Sequence, residues 1–444
     1  MKGVEQYWNP ILETLPREKL QQLQLKKFQN IFKWAYEHSR FYHKLYSEAG
    51  IEPGDIRTFD DIRKVPKIEK AMMRDIQGKD PFPYGDILCV PLTAVTEYRQ
   101  TSGTTGQPIY QADTWQDWEG GAEAYCYALY AQGYRDSDRL FVPFGYNIFI
   151  AFWTYHYAGE KLGCEVIPGG VLNTEARILK MQELRATAMG ATPTYVLGMA
   201  ETAIKMGIEP PKDLFIRKIT VAGEPGGSVP ATRKRMEDAW GAKVYDQAGS
   251  TEIGHWGWEC RYQCGLHVNE AFYLAEIEDV DTGELITEPG RRGKMVITTF
   301  DRLAQPCIRF DSKDVIEWSA IEKCECGRTF RLIRGGVMGR ADDITKVKGV
   351  LLAPAAIEEV VRAVPQLGDE YEVVVTKKGD IDDITLKVEL LPKCKAEISA
   401  IRETLTRELR TKTNLRYNLE FHDYGTLPRY EVKAKRFKDL RKGD

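Results

Sequence analysis

The chain has 444 residues, enough for about three typical domains or for one large α/β domain with a small companion. Hydrophobic residues make up 43% and charged residues 29%, with a net charge of −3, which excludes a disordered or collagen-like chain and gives no reason to expect a polyanion partner. No stretch reaches the roughly 18 uninterrupted apolar residues of a membrane span, and the start MKGVEQYWNP lacks a signal-peptide core, so the expectation is a cytoplasmic protein with no membrane and no nucleic-acid partner.

In chain order, residues 11–49 place Leu12, Leu15, Leu20, Leu23, Phe28, Ile31, Phe32 and Trp34 at helical spacing. From about residue 110 the texture alternates. A helix over 115–132 precedes an apolar run at 140–143; a helix over about 150–162 precedes a strand-like run, 164–170. Next come a helix over 175–188, a strand-like run at 193–198 and another from Ile216 to Ala222. Ser228 ahead of Pro230 predicts a helix over 229–240 that starts at Ser228 and stops at Gly241. This alternation favours a mostly parallel sheet with helices on its faces and ligand loops at the strand carboxyl ends.

Beyond Asp343 the pattern becomes a compact unit: a helix over 354–363, a hairpin pairing Tyr371 to Lys377 with Ile384 to Leu391 across Lys378-Gly379-Asp380, a helix over 395–410 and a strand from Leu419 to His422. The predicted class is α/β: a large N-terminal domain over 1–339, with mixed and parallel sheets flanked by helices, and a small α+β domain over 340–444 that moves on a hinge near Asp342.

The most informative octapeptide is Thr101-Ser102-Gly103-Thr104-Thr105-Gly106-Gln107-Pro108. Two glycines let the backbone bend around an anion, and the hydroxyls and free amides donate to phosphate oxygens. It is not a Walker A loop, because the GxxxxGK[ST] spacing is absent. The alternative for such a composition is a flexible surface loop.

This octapeptide resembles the phosphate loop of the adenylate-forming enzymes, and the remaining motifs resemble the phenylacetate-CoA ligase branch of that superfamily. Val221-Ala222-Gly223-Glu224-Pro225 is similar to the adenine-pocket segment, and Tyr245 to Glu252 to the YGxTE-type segment, which contributes Asp246, Gln247, Thr251 and Glu252. Phe310 to Asp314 resembles the stretch that ends in the ribose-binding aspartate, Gly339 to Asp343 the hinge motif, and Leu427 to Lys433 the loop of the catalytic lysine. The order of all six is the family's. The resemblance implies ATP on Thr101 to Gly106, Mg²⁺ on Glu252 beside Thr251, ribose on Asp314, and Arg340 near the ribose and phosphates. It also implies that Lys433 stabilises charge as the acid attacks the α-phosphorus, with Lys435 as its rival. Gly349 would admit the pantetheine arm of coenzyme A. The chain departs from the pattern at Ala248, where the family has an aromatic on adenine; Tyr245 is a candidate replacement.

A second constellation is Cys260, Cys264 and His267 with Cys324 and Cys326. Its spacing fits either a tetrahedral zinc site or reduced buried cysteines. The branch's resemblance, a Cys shortly before Gly-Leu-His and a later Cys-x-Cys-Gly-Arg, points to structural Zn²⁺ on Cys260, His267, Cys324 and Cys326, with Cys264 as the spare ligand. The aromatic run from Phe141 to Tyr155 offers a flat acyl pocket around Phe144 and Tyr146, against the alternative that these rings are core.

The resemblance thus implies an AMP-forming acyl-CoA synthetase: an ATP-dependent aryl-acid:CoA ligase that forms an acyl-adenylate and then a thioester. Its partners would be an aryl carboxylic acid and coenzyme A, and a homodimer is the common default for soluble enzymes. The alternative within the branch is adenylation with another acceptor, a carrier-protein thiol or a deazaflavin cofactor. A non-enzymatic alternative, a zinc module with a basic tail on nucleic acid, fits poorly with the charge and the phosphate loop.

Overall fold

A computed structural model describes residues 6–101, 107–150, 152–341, 345–347, 350–352, 354–378, 381–430 and 436–441. It divides into two compact units, one of Met1–Val171 with Gln247–Gly336, the other of Leu172–Asp246 with Val337–Asp444. No described helix is long and apolar enough to cross a membrane.

The first unit opens with the helices Arg17–His38 and Arg40–Glu48, whose apolar stripe buries Leu20, Phe28, Ile31, Phe32, Tyr42 and Tyr46. Helix Trp115–Ala131 starts at a capping box in which the Thr114 side chain accepts from Asp117 N–H and the Asp117 carboxylate accepts from Thr114 N–H. Strands Arg139–Val142 and Glu165–Pro168 pair in parallel around helix Trp153–Leu162. Strands Tyr273–Glu278, Arg292–Thr299 and Phe310–Glu317 form an antiparallel meander.

The second unit contains the parallel strands Ala188–Ala191, Lys218–Val221 and Lys243 to Asp246, connected through helices Pro193–Lys205 and Pro230–Trp240. The expected strand at 193–198 is a helix instead. Pro193 occupies its first turn and the Thr192 side chain accepts from Tyr195 N–H, so helix-start chemistry overrides the strand preference of Tyr195, Val196 and Leu197. The strand lies just upstream, at Ala188–Ala191, where the sequence predicts the end of a helix; all four of its residues are buried. Helix Pro230–Trp240 ends at Gly241 (φ 61°) as expected, but Val229 precedes it without a side-chain cap, because the Ser228 hydroxyl donates to Asp246.

The remainder of this unit follows the predicted plan: helix Pro354–Ala363, an antiparallel pair Leu367–Lys378 and Ile381–Leu390, helix Ile398–Thr413 and strand Asn418–Asp423. Asn418–Asp423 and Phe437–Asp439 flank the pair in parallel, giving a four-stranded sheet. Its core gathers Ile357, Val361, Val375, Leu386, Leu405 and Leu409.

Candidate active site

Strands Glu97–Gln100 and Tyr110–Asp113 pair antiparallel with Gln100 opposite Tyr110, and Thr101, Gln107 and Pro108, the described residues of the hydroxyl- and glycine-rich motif, adjoin them. Thr101 extends the pairing: its N–H donates to the Ile109 carbonyl at 3.1 Å and its hydroxyl oxygen accepts from Ile109 N–H at 2.9 Å. Arg74 and Gln77 donate to the carbonyls of Gln107 and Pro108 at 3.1 and 2.6 Å. Ser102, Gly103, Thr104, Thr105 and Gly106 lie outside the described residues, as do Asp342, Gly349 and Lys433.

In the same unit, the end of strand Lys243–Ser250 delivers Thr251 and Glu252. Glu252 is fully buried, and Lys70 Nζ lies 2.8 Å from its Oε1. Both carboxylate oxygens are shielded from solvent, and Lys70, Ser250 and the Glu252 backbone N–H are the donors that face them. Burial alone would raise this carboxyl's pKa; the Lys70 ammonium outweighs burial and holds it below the usual carboxylate range. Arg302 fixes the backbone at this point, donating from Nη1 to the carbonyls of Thr251 and Glu252 at 2.9 and 2.8 Å. The sequence reading finds Thr251 and Glu252 but misses Lys70, Asp113 and Arg302. Arg302 and Asp113 pair across 189 residues of chain, which no local spacing encodes.

Asp314 sits at a bulge in strand Phe310–Glu317. Lys313 adopts φ 64°, where the register against Lys294 and Val296 shifts, and Asp314 N–H donates to the Ser312 hydroxyl at 3.1 Å. The neighbouring Asp311 is held by Lys313 and Lys294 at 2.8 and 3.3 Å.

His255, also absent from the sequence reading, follows Glu252 by three residues. Its Nε2 lies 2.6 Å from Gln247 Oε1, and its ring stacks on Tyr125 with centroids 3.9 Å apart. Burial lowers its pKa to about 3, so the imidazole is neutral near pH 7. His255 lines a cavity with Trp118, Ile150, Thr154, Tyr273 and Arg302. Phe144 and Tyr146 do not line that cavity: Phe144 stacks on Phe152 at 4.2 Å, and Tyr146 Oη lies 2.7 Å from His156 Nδ1.

In the second unit, Gly223 takes φ 95° just after strand Lys218–Val221, a conformation that favours glycine. Glu224 Oε1 accepts from Thr194 N–H at 2.8 Å at the start of helix Pro193–Lys205, and Pro225 follows. Asp246 is buried, and a Cβ added at Gly227 would meet its Oδ1 at 2.5 Å, so only glycine fits there. Arg340 is half-buried in strand Gly339–Arg340.

The cysteine constellation converges inside the first unit. The ligand atoms of Cys260, His267, Cys324 and Cys326 all lie within 4.8 Å of one another, and all four residues are buried. Cys260 and Cys324 Sγ are 3.7 Å apart, too far for a disulfide, and Cys326 Sγ lies 3.5 Å from His267 Nε2. Tetrahedral zinc with ordinary bond lengths separates two thiolates by ~3.8 Å and a thiolate from an imidazole nitrogen by ~3.6 Å. His267 Nδ1 lies 3.3 Å from the Phe330 carbonyl, which keeps its proton on that side and turns Nε2 inward. Cys264 is outside the cluster, its Sγ 3.4 Å from the Tyr262 carbonyl.

Residues 349–441 match the AMP-binding enzyme C-terminal domain family. The chain is 32% identical to phenylacetate-coenzyme A ligase of Thermus thermophilus over 98% of its own length and 100% of that protein. To the enzyme of the same name from Escherichia coli it is 28% identical over 97% of each chain. Crystal structures of 2-hydroxyisobutyryl-CoA ligase match across 98% of this chain and 93% of theirs. The TM-score is 0.93 at 27% identity for its postadenylation state with R3-HIB-AMP, and 0.74 at 28% for its thioesterification state with 2-HIB-AMP and CoA. Fold and likeness together define an adenylate-forming enzyme, an ATP-dependent acid–thiol ligase that works through an acyl-AMP intermediate. Within that class, the chain belongs to the phenylacetate-CoA ligase family.

Proposed function

We propose that the acid is an aryl carboxylic acid and that free coenzyme A in the cytoplasm is the acceptor. The observation that carries the site assignment is the wholly buried Glu252 carboxylate beside Thr251, kept ionised against the cost of burial. A buried anion in that condition suits a hard cation, so Glu252 with Thr251 would hold Mg²⁺, whose charge supports nucleotide phosphate binding. Lys70 keeps the carboxylate ionised beside it.

In the first unit, Thr101 to Gly106 would cradle the phosphates, and Asp314 would accept hydrogen bonds from the ribose hydroxyls. Gly223, Glu224, Pro225, Asp246 and Gln247 would belong to the adenine side, and Arg340 to the ribose and phosphates. The acid's carboxylate oxygen attacks the α-phosphorus and the bond to pyrophosphate breaks; Lys433 offsets the charge that builds there. The domain from residue 340 then turns about Asp342, the thiol sulfur of coenzyme A, approaching past Gly349, attacks the acyl carbonyl, and AMP leaves. Phe144 and Tyr146 would contribute aromatic surface to the acyl pocket. Cys260, His267, Cys324 and Cys326 would hold Zn²⁺ with no position left for water or substrate, which makes that site structural.

The test is a pyrophosphate-release screen of aryl and alkyl acids with ATP and Mg²⁺, with and without coenzyme A. Aryl acids should give pyrophosphate, and added coenzyme A should give AMP and a thioester. Turnover confined to alkyl acids, or adenylate that coenzyme A does not consume, would overturn the reading.

A further inference from the structure

Arg436 stands three residues beyond Lys433 and is the first described residue after it. Its main chain belongs to the C-terminal sheet: the Arg436 carbonyl accepts from Val373 N–H at 2.7 Å, and strand Phe437–Asp439 runs parallel to Leu367–Lys378. The guanidinium is almost wholly buried, lies over the Tyr371 ring at 5.1 Å and donates from Nη2 to Glu370 Oε2 at 3.0 Å. Its Nη1 reaches out of this sheet and donates to Thr194 Oγ1 at 3.0 Å. A guanidinium so buried is held where its fork is matched, because an unmatched buried donor is costly.

Thr194 joins two elements. It lies in the first turn of helix Pro193–Lys205, and its N–H donates to Glu224 Oε1 at 2.8 Å, inside the segment Gly223 to Pro225 assigned above to the adenine side. One residue thus holds Glu224 by its backbone and Arg436 by its hydroxyl. Burial would lower the guanidinium's pKa, but Tyr371, Glu370, Glu224 and Glu358 outweigh it, so the group stays charged. The contacts alongside are polar too. Thr232 Oγ1 donates to Glu358 Oε1 at 3.2 Å, and Arg235 pairs with Asp369 at 2.9 Å while donating to the Val364 carbonyl at 2.8 Å. Charge-assisted bonds fix a register, and water can replace them when two surfaces part.

Three residues of chain span at most ~10 Å, so whatever fixes Arg436 bounds the range of Lys433. We infer that Arg436 is a positioning residue for adenylate formation: by bonding Thr194, it docks the chain that carries Lys433 against the adenine-side segment. This rests on the assignment of Lys433 to adenylation and on the turn about Asp342. Arg436 follows that hinge in the chain and Thr194 precedes it, so the turn to the thioester step breaks their bond, which serves the first half-reaction only.

The experiment follows each half-reaction by single turnover. Thr194→Val removes the acceptor and leaves Arg436 its bond to Glu370. It should slow adenylate formation from acid and ATP by about 10-fold, in rate rather than in KM for ATP, and leave thioester formation from supplied acyl-adenylate and coenzyme A near the wild-type rate. Arg436→Met should slow the first step by about 100-fold. Arg436→Lys, which keeps the charge without the planar fork, should recover part of it. Thr194→Val, close to isosteric, decides the matter if Arg436→Met does not fold. Adenylation at the wild-type rate in Thr194→Val, or equal slowing of both steps, overturns the inference while leaving the ligase intact. A wild-type chain that releases no pyrophosphate with any acid overturns the ligase reading and this inference with it.

Discussion

Arg302 and Asp113 meet through two parallel hydrogen bonds, Nε to Oδ1 at 2.6 Å and Nη2 to Oδ2 at 2.8 Å, with both side chains almost wholly buried. The pair is the brace of the Thr251-Glu252 turn, since the remaining guanidinium nitrogen holds the two carbonyls of that turn. Replacing Arg302 by Met leaves Asp113 as an unpaired buried charge and frees the turn. We expect a loss of about 3–5 kcal/mol in urea unfolding and a fall in adenylation of about 100-fold at a temperature where the variant is still folded. Stability and activity close to wild type would show that the brace is dispensable.

The four-residue cluster makes a metal prediction that needs no activity assay. Purified protein should contain one zinc per chain by elemental analysis. Cys326→Ser and His267→Ala should lose it and melt at lower temperature. Cys264→Ser should retain it, because Cys264 lies outside the cluster. Zinc retained by Cys326→Ser, or lost by Cys264→Ser, would contradict the ligand set.

His255 also sets an acid limit. Its folded-state pKa is lowered to about 3 by burial, whereas in the unfolded chain an imidazole titrates near ~6.5. The unfolded state therefore takes up a proton first as the pH falls, and stability drops from about pH 6.5 downward until the folded state titrates in turn. Between pH 8 and 5 this group alone should remove up to about 2 kcal/mol. Urea unfolding at the two pH values should show a smaller loss for His255→Phe than for the wild type. An identical loss would mean that the imidazole is accessible to protons in the folded chain.

Lys433→Ala separates the half-reactions. Adenylate formation from acid and ATP should be lost, while thioester formation from supplied acyl-adenylate and coenzyme A should remain largely intact. Single-turnover assays of each step measure this directly, and equal loss of both would refute the assignment of Lys433 to adenylation alone.

Much of the site was legible because its residues lie in short ordered motifs. Thr101, Thr251, Glu252 and Asp314 each sit just past a strand end or at a bulge, where local sequence governs the backbone. The cluster of Cys260, His267, Cys324 and Cys326 was readable for a related reason: thiols and imidazole are scarce, and two tight groups of them leave few pairings. Where local signals competed, the reading slipped. Pro193 and Thr192 start a helix in a segment whose side chains favour a strand, and Ser228 is drawn to Asp246 rather than to the helix it precedes.

The amino-acid order by itself determined the class of the fold, the succession of motifs and the chemistry available to each, since those depend on backbone propensity and residue type within a few positions. Only the tertiary structure decided that Lys70 would face Glu252, that Arg302 would bind Asp113 across 189 residues, and that His255 would be stacked on Tyr125 with its pKa lowered by burial. The physical reason is that charge pairing and desolvation act through space. A single histidine or arginine in a sequence carries no mark of which distant side chain will share its cavity.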